Sequence, residues 1–287
     1  MSAPEKRHST SKSATTITQK LQRPSNINLY AKENWSHTLS DHLAQTTPIL
    51  PQAHIINWNI MAWGNGHNNA YQKKETREEY FARLIRIAKA LIEEIKGNPH
   101  LAIATLQEVP ENQKARQFFF QLIKDALLPD KNWVIDESYY QKSEGNNFGL
   151  FILYDKVKLA NQPAIILIPG LTTQEGRTLT IDLQFLRGDK HYPVRIINAH
   201  FRYKDKNNTN QRLTVAQAQT EIDTLLNSTA EQVVIAADYN QDIHKIESKY
   251  PDKTFYGAVP SSVTYKEGRL VDKNIDGFIF KYPPELD

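Results

Sequence analysis

The segment Val233–Asn240, which reads VVIAADYN, restricts the fold of this chain more than any other stretch. Its apolar, β-branched first part has the length and composition of a buried strand, and the run stops abruptly at the carboxylate of Asp238. Side chains alternate between the two faces of a strand, so Asp238 and Asn240 point the same way if the strand continues that far. A strand that runs into an Asp/Asn turn explains the same residues.

Other apolar segments of the chain also end in a polar residue that suits work on a phosphate or a metal ion. These residues are Asn59 in NWNI, Glu108 in LQE, His200 in NAH and Asp276 in NIDGFIF. Each has an ordinary explanation, such as pairing within a sheet, a turn, a satisfied core histidine or a strand cap. Their recurrence at one strand end after another is hard to attribute to chance, so we expect them to form one site.

Hydrophobic periodicity predicts short strands interleaved with a few helices. The predicted strands are His54–Met61, Leu101–Leu106, Trp133–Asp136, Gly149–Tyr154, Ala164–Ile168, Leu179–Phe185, Tyr192–Asn198 and Ile275–Phe280, and the predicted helices are Glu75–Lys96, Lys114–Leu127 and Asn210–Leu226. Strict βαβ alternation is absent, and no Pro/Gly-rich linker divides the chain. We therefore predict an α+β fold, a two-layer β-sandwich with helices packed outside.

Composition sets further limits. Residues 1–26 are rich in Ser, Thr, Lys and Gln, which predicts a disordered tail ahead of a single domain over 27–287. The chain has no cysteine, which excludes disulfides, thiolate metal sites and a cysteine nucleophile. The net charge is only +3, so any affinity for phosphate must come from local basic clusters.

Nothing in the sequence predicts a membrane or secreted protein. No apolar run approaches the roughly 18 residues that a membrane span requires. The N-terminus is basic but lacks the apolar core of a secretory signal. We expect a soluble protein, with the cytoplasm favoured and non-classical secretion left open.

The motifs resemble those of the endonuclease/exonuclease/phosphatase superfamily, the DNase I-like proteins. NWNI, LQE, NAHF, AADYN and NIDGFIF follow the order of the family's motifs, with Ala237 in place of the glycine of Gly-Asp-Phe-Asn. Asn147, in NNFGLFILY, resembles the residue that precedes a central strand of the family. The resemblance covers scattered motifs over residues 40–280 and implies a four-layer α/β/β/α catalytic domain.

One family motif is missing from its usual place. The family carries Ser-Asp-His on a strand that follows Asp276, but only 11 residues follow here and none is His. A Ser-Asp-His tripeptide occurs instead at residues 40–42, ahead of the first strand. With Leu43–Leu50 as a strand and Pro51–Ala53 as a turn, Asp41 and His42 would arrive level with Asn59. We hypothesise that the chain is a circularly permuted member of the family, with the last strand moved to the front. The alternative is that the tripeptide occurs by chance and that the chain is truncated or inactive.

The resemblance implies hydrolysis of phosphate esters with Mg²⁺, for which Mn²⁺ is a substitute. Glu108 is implied as the main metal ligand, with Asn59 and Asp41 completing the metal's surroundings directly or through water. Asp238 is implied to deprotonate the attacking water, and Asn240 to hold Asp238 or a phosphate oxygen by its amide.

The remaining implied roles concern the phosphoryl group and the substrate. His42, oriented by Asp276, and His200 from the other side are implied to donate hydrogen bonds to the phosphoryl oxygens. Four further residues are predicted to contact the substrate: Arg177, Arg202, Trp63 and Asn147. A solvated loop explains the arginines equally well, and a plain connection to the following helix explains the segment of Trp63.

Three functions remain open from the sequence. The first is a phosphodiesterase or nuclease, with nucleic acid as the favoured partner. The second is a phosphatase of inositol phosphates or phospholipid headgroups, and the third is an inactive family member that acts as a binding module. An active site requires Asp41 and His42 to lie within a few Å of Glu108, Asp238 and Asp276.

Overall fold

The computed structural model describes residues 40, 42–62, 75–127, 132–143, 148–168, 177–202, 214–230, 232–250, 253–256, 262–266 and 269–281. The predicted tail over residues 1–26 lies outside this part of the chain, as do Asp41, Trp63 and Asn147.

The described residues form 14 strands. In chain order they are β1 (Gln45–Leu50), β2 (Ala53–Asn59), β3 (Leu101–Pro110), β4 (Trp133–Val134), β5 (Tyr140–Lys142), β6 (Phe148–Asp155), β7 (Ala164–Ile166), β8 (Thr178–Arg187), β9 (Lys190–His200), β10 (Val233–Asp238), β11 (Thr254–Tyr256), β12 (Ser262–Lys266), β13 (Arg269–Lys273) and β14 (Asp276–Phe280). The first sheet has the order β1-β2-β3-β6-β4 with β5 paired to β6, and the second has the order β11-β14-β10-β9-β8-β7. Strands β12 and β13 form a separate hairpin.

Four α-helices accompany these strands in the described part of the chain: α1 (Arg77–Gly97), α2 (Gln113–Leu127), α3 (Val215–Leu226) and α4 (Ile243–Glu247). Helix α1 begins at a capping box, in which Thr76 and Glu79 exchange side-chain and backbone hydrogen bonds. Thr214 caps α3 in the same way from an extended backbone, and the predicted start of this helix at Asn210 lies outside the described residues. None of the described helices is long and apolar enough to cross a membrane.

Strand β10 shows how the layers are built. Val234 and Ala236 pack into the core between the two sheets. Ile235 and Ala237 face the other way and pack against Ile222 of α3. Both faces of the strand are buried, which explains its continuous apolar sequence.

The outer face of the first sheet is covered by α1 and α2. Phe120 of α2 stacks on Phe151 of β6 with ring centroids 4.1 Å apart. Helix α1 contributes Leu84, Ile87 and Leu91 to the same core. The predicted α+β class, with a two-layer β-sandwich flanked by helices, is confirmed.

The strand directions bring the predicted site residues to one edge. Strands β2 and β3 are parallel, and so are β9 and β10, so each pair ends at the same level. His200 lies opposite Asp238 in that register. Strand β14 runs antiparallel to β10, so Asp276 opens its strand, rather than ending one as predicted, yet still lies opposite Asp238.

Candidate active site

The N-terminal strand occupies the position predicted for it. Strand β1 pairs antiparallel with β2, with Gln45 opposite Asn57 and Leu50 opposite Ala53 across the turn. The predicted strand and turn are confirmed, although the strand begins at Gln45 rather than Leu43. This pairing carries the residues ahead of β1 toward the edge where β2 ends.

His42 lies against Asp276, although the two are 234 positions apart in the sequence. His42 Nδ1 is 3.0 Å from Asp276 Oδ1 and 2.9 Å from Oδ2, and we assign the imidazole proton to Nδ1 because both of its neighbours are carboxylate oxygens, which accept. Trp58 Nε1 donates to the His42 carbonyl at 3.1 Å, and Ser40 Oγ donates to the Asn59 carbonyl at 2.7 Å. Ser40 and the His42 backbone are therefore both hydrogen-bonded to β2.

Two carboxylates share one amide at the end of β2. Asn59 Nδ2 donates to Glu108 Oε1 at 3.1 Å and to Asp238 Oδ2 at 2.9 Å. Asn59 Oδ1 accepts from the Met61 backbone N–H at 2.9 Å, which fixes the orientation of the amide. The nitrogen, not the oxygen, therefore faces the carboxylates, so in this arrangement Asn59 orients them and is not placed as a direct metal ligand.

Left-handed backbone conformations are concentrated around these groups. Apart from Gly188, the described residues with positive φ are Met61 (46°), Glu108 (54°) and Asn240 (50°). Residues other than glycine adopt this region at a cost of order 1–3 kcal/mol, and such strain often marks functional sites.

The strain at Glu108 turns its side chain into the site. Gln107 already points between the sheets, so simple alternation would direct Glu108 to the opposite face. The pairing of β3 with β6 shifts register between Leu106 and Val109, which is a bulge. Because of the bulge, the consecutive side chains of Gln107 and Glu108 both point to the same side of the sheet.

Asn240 does not continue the strand. Strand β10 ends at Asp238, and the Asn240 backbone N–H donates to Asp238 Oδ1 at 2.8 Å. Asn240 Nδ2 donates to the Phe201 carbonyl at 2.8 Å. The condition for alignment by alternation, a strand that continues to Asn240, is therefore not met, and the alternative, a strand that runs into an Asp/Asn turn, is confirmed.

His200 lies between the two carboxylates that Asn59 holds. Its Nε2 is 3.6 Å from both Glu108 Oε1 and Asp238 Oδ2. Burial lowers the pKa of His200 to about 3, against the attraction of Asp238, and nearby Arg177 adds to the lowering. His200 is thus a neutral hydrogen-bond donor at physiological pH, and its Nδ1 has no hydrogen-bond partner among the described residues.

Arg177 brings positive charge to the same edge. Its Nη1 donates to the His200 carbonyl at 3.3 Å, and the guanidinium lies 5.5 Å from the Phe148 ring centroid. Burial and then repulsion from Arg202 lower the pKa of Arg177 to about 10, against the attraction of Glu108 and other acids. Arg177 stays cationic at neutral pH, and two mutually repelling guanidinium groups favour an anionic ligand.

Two overlapping groups could hold a metal ion. They are His42 with Asp238 and Asp276, and Glu108 with His200 and Asp238; within each group the ligand atoms lie within 4.8 Å of one another. Carboxylate oxygens are the donors that Mg²⁺ prefers. Asp238 belongs to both groups and is the centre of the site.

Sequence reasoning missed a layer of amides just beneath these residues. Asn57, Gln107 and Asn198 are fully buried and hydrogen-bonded to one another or to backbone. A signal was available, because Asn57 and Asn198 lie two positions before Asn59 and His200 and therefore share their faces.

Neither protein-family models nor curated proteins gave a match to this chain. Among solved structures, TDP2 from C. elegans is similar over 80% of this chain at 15% identity, with a TM-score of 0.47. The present chain spans 64% of that protein. The human Nocturnin catalytic domain is similar over 83% of this chain and 85% of its own, at 13% identity and a TM-score of 0.46.

A third similar structure is an endonuclease/exonuclease/phosphatase family protein from Leptotrichia buccalis, at 11% identity, with 70% of this chain and 81% of that chain covered and a TM-score of 0.43. These likenesses concern the course of the chain, and the roles considered below rest on the side chains described above.

Proposed function

We propose that this protein is a metal-dependent hydrolase of phosphate esters, a phosphodiesterase or nuclease. One observation carries the proposal. A His–Asp dyad, formed by His42 and Asp276, lies 3.9 Å from Asp238, which in turn shares the Asn59 amide with Glu108. An oriented imidazole close to a pair of carboxylates supplies the hydrogen-bond donor and the base that hydrolysis at phosphorus requires.

In this proposal Asp238 is the general base. It takes a proton from water as the water oxygen bonds to phosphorus. The bond from phosphorus to the leaving oxygen breaks, and that oxygen keeps the bonding electrons and takes up a proton from solvent. Asn240 holds Asp238 Oδ1 through its backbone N–H, and Asn59 holds Oδ2. Both acceptor oxygens are thereby oriented before the substrate arrives, and no covalent intermediate with the protein is formed.

The two histidines act on the phosphoryl oxygens. Asp276 accepts from His42 Nδ1, which leaves Nε2 to donate to an oxygen as negative charge develops. His200 donates its single N–H from the other side, since burial keeps it neutral. Removing either donor lowers the stabilisation of the transition state.

The acidic groups fit a hard divalent cation. We propose Glu108 as the main ligand, while Asn59 orients the carboxylates; Asp41, predicted to complete the metal's surroundings, stays a prediction. A bound Mg²⁺, or Mn²⁺ in its place, would neutralise charge on the phosphoryl oxygens and orient the ester.

The substrate is anionic, and nucleic acid is favoured. Arg177 and Arg202 support this because the Arg177 guanidinium binds the His200 carbonyl and Arg202 is close enough to repel it, so the pair would attract a phosphate to this edge. Trp63 and Asn147 remain predicted substrate contacts.

The proposal is tested by incubating the protein with supercoiled plasmid, single-stranded DNA and RNA, and a panel of inositol phosphates, each with Mg²⁺ or a chelator. We expect cleavage of nucleic acid that the chelator abolishes and that Asp238→Asn removes. Asp125→Asn, at a helix surface position bonded to Gln121, is the matched control and retains activity. Chelator-insensitive cleavage contradicts the metal mechanism, and no turnover of any ester favours an inactive binding module.

A further inference from the structure

Three buried carboxamides lie directly beneath the proposed active site. Asn57 precedes Asn59 in β2, Gln107 precedes Glu108 in β3, and Asn198 precedes His200 in β9; the three amides are fully inaccessible to solvent. We propose that Asn57, Gln107 and Asn198 are positioning residues, whose hydrogen bonds set the distance between the two halves of the site. This inference rests on the proposed function and assigns residues to it that touch neither substrate nor metal.

The site is divided between the two sheets. Asn59 and Glu108 come from the first sheet, whereas His200, Asp238 and Asp276 come from the second. The 2.9 Å contact of Asn59 Nδ2 with Asp238 Oδ2 and the 3.6 Å approach of His200 Nε2 to Glu108 Oε1 both cross the gap. The spacing and register of the sheets therefore determine the geometry of the site.

The amide network crosses the same gap at several points. Gln107 Nε2 donates to Asn57 Oδ1 at 2.7 Å and, across the sandwich, to Asn198 Oδ1 at 2.6 Å. Other amides of the network donate to backbone carbonyls of the opposite sheet: Asn198 Nδ2 to Leu106 and Phe151, both at 3.0 Å, and Asn57 Nδ2 to Ala237 at 3.2 Å.

Filling the core does not explain these amides. Apolar side chains would fill the space without the cost of burying polar groups, and Gln107 Oε1 is buried without a hydrogen-bond partner among the described residues. Apolar contacts are non-directional and tolerate sliding of one sheet over the other, whereas hydrogen bonds fix direction and distance. A displacement of about 1 Å costs about 10²-fold in rate, so such precision matters at this level of the sandwich.

The test compares two buried, nearly isosteric substitutions in one layer. Gln107→Met removes both bonds of Gln107 Nε2, including the one that crosses the sandwich. Thr105→Val is the matched control, because Thr105 Oγ1 is equally buried and its hydrogen bonds among the described residues, to Ile56 O and Asn57 Oδ1, stay within the first sheet, so their loss removes no bond that crosses the sandwich. Each variant is crystallised, its melting temperature is measured, and kcat and KM are determined at saturating Mg²⁺.

We expect Gln107→Met to lengthen the Asn59–Asp238 contact beyond hydrogen-bonding distance and to lower kcat about 10- to 100-fold, with KM within about twofold of wild type. Thr105→Val should keep the contact and lower kcat no more than about threefold, at a similar loss of melting temperature. If Gln107→Met does not fold, Asn198→Leu removes the crossing bonds from the other sheet and takes its place.

A variant that loses its crossing bonds but keeps the Asn59–Asp238 contact, or keeps wild-type kcat, overturns the inference. A Thr105→Val variant that loses as much kcat as Gln107→Met also overturns it, because the effect then follows stability and not the crossing. If the wild-type protein hydrolyses no phosphate ester, the proposed function fails, and the crystallographic contact still decides whether the amides position the two halves.

Discussion

Glu94 of α1 is a buried acid whose replacement should make the stability of the protein less dependent on pH. Its residue is 1% exposed, Oε1 accepts only a long 3.4 Å hydrogen bond from Asn98, and Oε2 has no hydrogen-bond partner among the described residues. Burial, opposed by Asn98, raises the pKa of Glu94 to about 6 from an ordinary value of 4.5. The carboxylate is therefore poorly solvated in the folded protein whenever it is ionised.

The sign and size of the effect follow from proton linkage. Between pH 4.5 and 6 the folded state binds more protons at Glu94 than the unfolded state, so the free energy of unfolding falls as pH rises. The full loss is reached above the folded pKa and amounts to about 2 kcal/mol, from 1.36 kcal/mol for each pKa unit. Glu94→Gln carries no charge and escapes this loss.

Urea denaturation of wild type and Glu94→Gln at about pH 4 and about pH 7.5 measures the difference. The stability of the variant relative to wild type should rise by about 2 kcal/mol between the two pH values, whatever constant offset the buried amide introduces. Glu93→Gln, at the exposed neighbouring position of the same helix, should show no such rise. If the free energy of unfolding of Glu94→Gln changes with pH as much as that of wild type across this range, the reasoning is refuted.

Replacing His42 by Ala removes the imidazole that Asp276 orients, and single-turnover hydrolysis should slow about 10²- to 10⁴-fold; full activity would reject the N-terminal arm as part of the site. Glu108→Gln should abolish the rise in melting temperature that Mg²⁺ or Mn²⁺ gives to wild type, and a retained rise would assign the metal to other ligands. Arg83→Met leaves the Glu75 carboxylate without the guanidinium that holds it at 2.6 Å, so urea denaturation should show a loss of about 3–5 kcal/mol, partly restored by adding Glu75→Gln.

Much of the architecture could be predicted from periodicity and termination signals. The helix predicted over Glu75–Lys96 is found at Arg77–Gly97, because its apolar spacing and its Thr76 cap agree. The position of His42 could be predicted because two antiparallel strands of equal length, joined by a short turn, bring the residue before the first strand level with the end of the second. In each case local pattern and tertiary packing favour the same structure.

Short elements without an apolar run escaped prediction. Strands β12 and β13, which read SVTYK and RLVDK, carry a charge at one end or both and form only a two-stranded hairpin. Helix α4 has five residues, too few to show a helical period. Such elements depend on pairing and caps supplied by the fold, and Asp242 provides one such cap at the start of α4.

The local rules fail most clearly at the centre of the site. Strict alternation would send Glu108 to the face opposite Gln107 and would continue β10 through Asn240, whereas left-handed backbone at Glu108 and Asn240 departs from both patterns. A glycine would have signalled such a conformation in the sequence, but a glycine has no carboxylate to hold a cation and no amide to reach the Phe201 carbonyl. Because each position requires a functional side chain, the sequence shows no glycine there to indicate the left-handed backbone. Hydrogen bonds around the two residues offset the cost of the strained backbone, among them those from Asn59 to Glu108 and Asp238. The departures from local rules therefore occur where the proposed chemistry requires a particular side chain on a strained backbone.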